Sequence, residues 1–140
     1  MSRHPFLRNL LLARSEWMEE RVMRGARRNG YGFVTPAMNR LFAHMGRQPI
    51  GLSELARRLA VSRQAVHKLA CEAASHGLVE FIESDKDGRV KLLRFTTQGW
   101  AMSANAAQEL QCIEQELIDM LGEADVAELR RILARDWPRD

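Results

Sequence analysis

The side chains here that could do covalent or metal chemistry are four histidines, two cysteines and scattered serines and acids. Their spacing assembles none of it. His4, His44, His67 and His76 form no HxxxH pair, and neither Cys71 nor Cys112 stands in the CxxC or Cys/His spacing of a zinc site. No nucleophile–base–orienter arrangement and no glycine-rich phosphate loop is recognisable. The chain therefore reads as a non-enzyme without metal or cofactor. His44, next to Met45 on a helical stretch, reads as packing. The two cysteines read as small buried or half-buried fillers, unpaired in a reducing compartment.

A non-covalent chemistry is legible over 62–68. Arg63, Gln64, His67 and Lys68 fall on one side of a helical period, while Val66, Leu69, Ala70 and Ala73 fall on the other. An amide can bond adenine twice and a cation can bond guanine O6 and N7, each good pair discriminating by about 1–3 kcal/mol. Ser62, at the helix start, stands where hydroxyls and backbone N–H groups meet phosphate. Further on, Lys86 and Arg89 flank a polar turn, and Asp87 lies two residues before Arg89, close enough to orient its guanidinium. Cations at the tip of a narrow hairpin suit the negative potential of a minor groove. Taken alone, the first feature is equally an amphipathic helix with a polar face, and the second is what solvated turns contain anyway.

The elements that would position these residues follow from periodicity. Residues 5–29 read as a helix with Phe6, Leu7, Leu10, Leu11, Trp17, Met18 and Met23 three and four apart, broken by Asn29-Gly30-Tyr31-Gly32. Thr35-Pro36 reads as an N-cap and first helical position, opening a helix that stops at Gly46. Two short helices follow, over 52–59 and from the Ser62 cap to about His76-Gly77, separated by Ala60-Val61. The period then changes to strands over 79–83 and 89–95. Thr96 caps a long helix over 97–121, Gly122 ends it, and a last helix covers 123–135. The fold class expected is mainly α: six helices and a two-stranded β-wing.

Bulk properties agree with a single domain spanning all 140 residues. With 46% hydrophobic and 28% charged residues the chain can build a core. No apolar run is long enough to span a bilayer and no signal-peptide pattern opens the sequence, so a cytoplasmic location away from membranes is expected. Residues 1–47 hold nine Arg against three acids, while 101–140 hold four Arg against nine acids. A basic front and middle with an acidic tail suits a polyanion partner.

The stretch LSELARRLAVSRQAV over 52–66 resembles the reading unit of MarR-type bacterial regulators. The likeness continues through His76-Gly77-Leu78-Val79-Glu80, Asp87-Gly88-Arg89 and Phe95-Thr96-Thr97-Gln98-Gly99. It takes in Thr35-Pro36-Ala37 at the second helix and 121–133 at the last. The resemblance implies a winged helix-turn-helix over 35–96, with dimerisation helices in 1–34 and 97–140. It also implies a homodimeric transcription regulator, a repressor in the usual case, on a pseudo-palindromic DNA operator. By the same likeness Ser62, Arg63, Gln64, His67 and Lys68 contact groove or phosphate, and Asp87 and Arg89 form the wing pair. Gly88 replaces a frequent Arg, Gly51 a capping hydroxyl and His67 a small hydroxyl residue, and the first helix lacks the reactive cysteine of the family's peroxide sensors.

Two further expectations concern partners. A helix of 25 residues is about 37 Å long, more apolar stripe than a chain of this size can cover, so two-fold pairing is expected. The resemblance also implies a small aromatic or amphipathic effector between dimer helices and reading unit, in a cleft that Trp17, Phe33, Met38, Met45 and Trp100 could line. The rival reading is a winged-helix module that binds protein instead of DNA. Cations on both helix and hairpin speak against it.

Overall fold

The computed structural model describes residues 4–86 and 88–138. Asp87, the expected partner of Arg89, lies outside the described residues. Among those described, the chain runs α1 (Leu7–Arg28), α2 (Pro36–Ala43), β1 (Ile50–Gly51), α3 (Leu52–Leu59), α4 (Arg63–Ser75), β2 (Val79–Glu83), β3 (Lys91–Phe95), α5 (Thr97–Leu121) and α6 (Glu123–Leu133). The architecture is mainly α with a winged helix-turn-helix in its middle, as the sequence implied.

Local chemistry explains where the helices start. Thr35 Oγ1 accepts from the Met38 amide, Ser62 Oγ from that of Ala65, and Thr96 Oγ1 from that of Gly99. Each satisfies one donor that a helix N-terminus leaves unpaired. Pro36 occupies the first turn of α2, where its missing N–H costs nothing. Gly51 precedes α3 without a side-chain cap. The turn between α3 and α4 is closed by Ala60 in the left-handed region (φ 54, ψ 42), with the Val61 amide donating to the Ala56 carbonyl.

The sheet has three strands, not two. β3 pairs antiparallel with β2 in the register Val79↔Phe95 to Glu83↔Lys91, and its other edge takes up Ile50 and Gly51. Two residues are too few for an alternation to show, which is why the sequence reading missed β1. β3 begins at Lys91 instead of 89, α2 ends at Ala43 instead of reaching Gly46, and α6 ends at Leu133.

The core lies under the reading unit. Met38, Leu41, Leu55, Val66, Ala70, Ala73 and Leu93 are fully buried, drawing α2, α3, α4 and the sheet onto one another. The start of α5 is locked to this core by a close approach: a Cβ on Gly99 would lie 2.0 Å from the Leu78 carbonyl oxygen. α1 packs along α5, where Arg21 forms a two-bond pair with Glu116 at 2.7 Å and Arg28 reaches Glu109. Gly25 allows that approach, since a Cβ there would meet the Glu109 side chain. Both cysteines are exposed, contrary to their reading as fillers. Cys71 follows His67 by one turn on the outward stripe of α4, and Cys112 precedes inward-pointing Ile113, fully buried. Among the described residues no helix is long and apolar enough to cross a membrane.

Candidate nucleic-acid interface

α4 owes its orientation to its own apolar face. Val66, Ala70 and Ala73 are buried against the core and Leu69 is half-buried, so Arg63, Gln64, His67 and Lys68 are left exposed. The helix-turn-helix thereby presents donors and acceptors on the exposed side of its second helix, the element that enters a major groove in this motif. Ser62 is exposed at the N-terminus of α4, its oxygen occupied as a cap acceptor. Its hydroxyl hydrogen can still be donated.

The wing lies against the same edge. Arg63, Gln64 and His67 of α4, Arg89 and Lys91 of the wing, and Leu52 at the start of α3 line one open recess of about 430 Å³. It therefore brings three of the five expected helix contacts together with Arg89. Lys68 and Lys86 are exposed outside it, Lys86 in the turn where its amide donates to Ser84 Oγ. Lys91 sits with its ammonium 6.0 Å over the Phe81 ring, and His67 tilts against that ring at 5.7 Å. The His67 imidazole also lies 3.8 Å from Cys71 Sγ. Arg94, the other cation of the returning strand, is committed across the sheet to Glu80 at 2.8 Å. Lys91 carried a sequence signal, a cation on the returning strand. Nothing in its spacing separated it from Arg94; the cross-strand register does.

Behind α4, α3 carries a tight electrostatic cluster. Glu54 accepts from Arg57 and Arg58, and these bonds pull its carboxyl down to about 2 from the usual 4.5. Arg58 also donates to the His44 carbonyl. One carboxylate offsets one of the two α3 guanidinium charges, so α3 adds a single net positive charge to those of α4 and the wing.

A second concavity lies away from this edge, among α1, α2 and α5, with a volume of about 700 Å³. Of the five expected pocket residues, Met45 lines it. Met38 is fully buried in the core beneath, and Phe33 stacks on the His76 ring at 4.3 Å. Trp100 packs on Phe95 at 5.0 Å, and Trp17 lies under the Arg21 guanidinium. These four do not line the cleft: Met38 on α2 is taken up by the core, Phe33 in the α1–α2 connection by His76, Trp100 by Phe95 and Trp17 by Arg21. The actual walls include Met18, Met23, Tyr31, Phe42, Met102 and Leu110, with Glu16 and Glu19 on the α1 side. Among the described residues no group of three potential metal ligands occurs.

Residues 34–90 match the model of the MarR family. No match was found among curated proteins compared by sequence. Solved structures share the fold. Reduced MarR from E. coli superposes with a TM-score of 0.77 at 24% identity, covering 98% of this chain and 100% of that one. YusO from Bacillus subtilis gives 0.64 at 22%, over 91% and 89%. NadR in complex with 4-hydroxyphenylacetate gives 0.73 at 17%, over 96% and 94%. At these identities the likeness speaks to the fold.

Proposed function

We propose that this chain is a MarR-type transcription regulator, acting as a repressor, that binds double-stranded DNA as a homodimer; the match of residues 34–90 to the MarR family model supports this. In this reading Arg63, Gln64, His67 and Lys68 enter a major groove and Ser62 meets phosphate. The wing reaches the adjacent minor groove through Lys86 and Arg89, with Asp87 orienting the Arg89 guanidinium. The observation that carries it is the convergence of Arg63, Gln64 and His67 with Arg89 and Lys91 on one exposed edge. A protein-binding wing has no need of cations on both elements.

The chain ends support the dimer. Phe6 and Leu7 are 79% and 75% exposed, Met120 is 68% exposed, and Leu129, Ile132 and Leu133 add apolar surface on α6. Pairing these ends about a two-fold axis would cover them and set two copies of α4 about 34 Å apart, one turn of B-DNA. The operator would then be an inverted repeat with that spacing. The cleft among α1, α2 and α5 supports an effector role, in which a small amphipathic molecule shifts the spacing of the reading helices. A neighbour of the same fold was solved with 4-hydroxyphenylacetate.

Selection of bound sequences from a random duplex pool, followed by a salt titration, tests the reading. An inverted repeat is expected, with affinity falling steeply as salt rises through counterion release. Arg89→Ala should weaken all duplexes, and Gln64→Ala should relax preference at particular base pairs. No duplex binding at low salt would favour a protein-binding module. A monomer mass by light scattering at micromolar concentration would remove the dimer.

A further inference from the structure

The inward stripe of α1 carries a departure from amphipathic design. The α1 residues that face the cleft include Leu12, Glu16, Glu19, Val22, Met23 and Ala26, three and four apart. That spacing defines the face a helix normally keeps apolar. Two of these positions are nevertheless carboxylates, one turn apart: Glu16 is exposed and Glu19 is half-buried.

Their neighbours make the departure sharper. α1 is rich in arginine, and nearby acids use it: Glu116 pairs with Arg21, Glu109 with Arg28, and Glu20 lies within 3.7 Å of both Arg24 and Arg27. Glu16 and Glu19 have no ion-pair partner among the described residues, although the helix that bears them could supply one. Glu109 also lines the cleft, but Arg28 already neutralises it. The remaining charged group of the lining is Arg40, on the α2 side. Arg40 is exposed, so its long side chain can keep its head in water. A half-buried glutamate on a packed helix has no such freedom.

We propose that the cleft among α1, α2 and α5 receives lipophilic cations, with Glu16 and Glu19 facing the charge and Met23, Phe42, Met45 and Met102 the apolar body. This assignment rests on the cleft being an effector site of the regulator, and names the chemical class it accepts. The ligand is an apolar molecule carrying a quaternary ammonium, a phosphonium or a protonated amine. A carboxylate half-buried beside apolar walls attracts such a charge more strongly than one in water, because fewer solvent dipoles screen it. An anion of the same shape meets two uncompensated like charges there.

Tetraphenylphosphonium and tetraphenylborate separate charge from shape, being near-isosteric ions of opposite sign. Calorimetric titration of the full-length protein with each is the test. The phosphonium should bind at least about tenfold more tightly. The protein's net charge of +3 favours the borate overall, so a cation preference that the Gln variants abolish comes from the cleft. Glu19→Gln should remove most of the preference, Glu16→Gln a smaller part, and the double variant nearly all of it. Equal or reversed preference, binding of neither ion, or a preference untouched by the double variant would each overturn the assignment. Duplex binding by the unliganded protein is read separately. Its absence would sink the regulator reading and leave the ion preference standing. Intact duplex binding with no ion preference would sink the cation assignment alone.

Discussion

In the middle of the chain Met38, Leu41, Leu55, Val66, Ala70 and Leu93 lose all contact with solvent, while at its ends Phe6, Leu7 and Met120 remain largely exposed. Both regions are built from helices that carry apolar stripes. The middle has a sheet and three short helices that close on one another, so every stripe finds a partner within the chain. α1, α5 and α6 are long or peripheral, and a two-layer packing covers only one side of each. The lesson is that apolar side chains do two jobs here: they close a reading unit, and they leave a surface for a second copy.

The largest expected effect tests the closed region. Leu55→Ala removes a fully buried side chain between α3 and the rest of the core, and should lower unfolding free energy by about 3 kcal/mol in urea titrations. A loss below about 1 kcal/mol would mean that the site relaxes freely and the middle is not close-packed. Next comes the open region. Leu7→Glu should leave protomer stability within about 0.5 kcal/mol. By contrast it should weaken the proposed dimer at least about tenfold in sedimentation equilibrium, because it places a charge in an apolar contact. An unchanged association constant would show that the exposed end of α1 is not part of the interface.

Much of this contrast could be seen in the sequence, for identifiable reasons. Thr35, Ser62 and Thr96 are caps whose hydroxyl and spacing announce a helix start, and all three helices begin where those residues stand. The outward placement of Arg63, Gln64, His67 and Lys68 followed from Val66, Ala70 and Ala73 having to face the core. What stayed hidden depends on partners distant in sequence. Ile50 and Gly51 become a strand only because β3 has a free edge beside them. Lys91 and Arg94 look alike until the register commits Arg94 to Glu80. Trp17, Phe33, Met38 and Trp100 share an apolar type with Met45, yet which of them borders the cleft depends on packing partners that residue type does not reveal. Glu16 and Glu19 interrupt the apolar pattern of α1 in the sequence itself, but only the packing of α1 shows that they border the cleft.

A smaller effect asks whether the closed region is optimised throughout. Ala60 holds a left-handed conformation at the α3–α4 turn, where a Cβ crowds the following carbonyl. Ala60→Gly should raise stability by about 1 kcal/mol without altering the salt dependence of duplex binding. A destabilised variant would mean that the turn draws support from the Ala60 methyl and that its conformation carries no strain.

The smallest effect concerns the ion pairs, which both regions possess. Glu54 in α3 is held near 2 by Arg57 and Arg58, and Glu128 in α6 is lowered by its hydrogen bonds from Arg131. For Glu54 the folded value lies below the unfolded one, so its contribution is complete above about 4.5 and fades as pH falls toward 2. The unfolded chain takes up the proton first in that window, and acid therefore favours unfolding. Glu54→Gln should leave a stability gap from the native protein at neutral pH that closes across this window, read as converging urea midpoints. A gap that stays constant with pH would assign the loss to geometry instead of charge. Because Glu54 and Glu128 are both exposed to solvent, screening keeps either contribution small. If Glu128→Gln behaves as Glu54→Gln does, electrostatics contributes alike to the two regions, and apolar burial is what distinguishes the closed middle from the open ends.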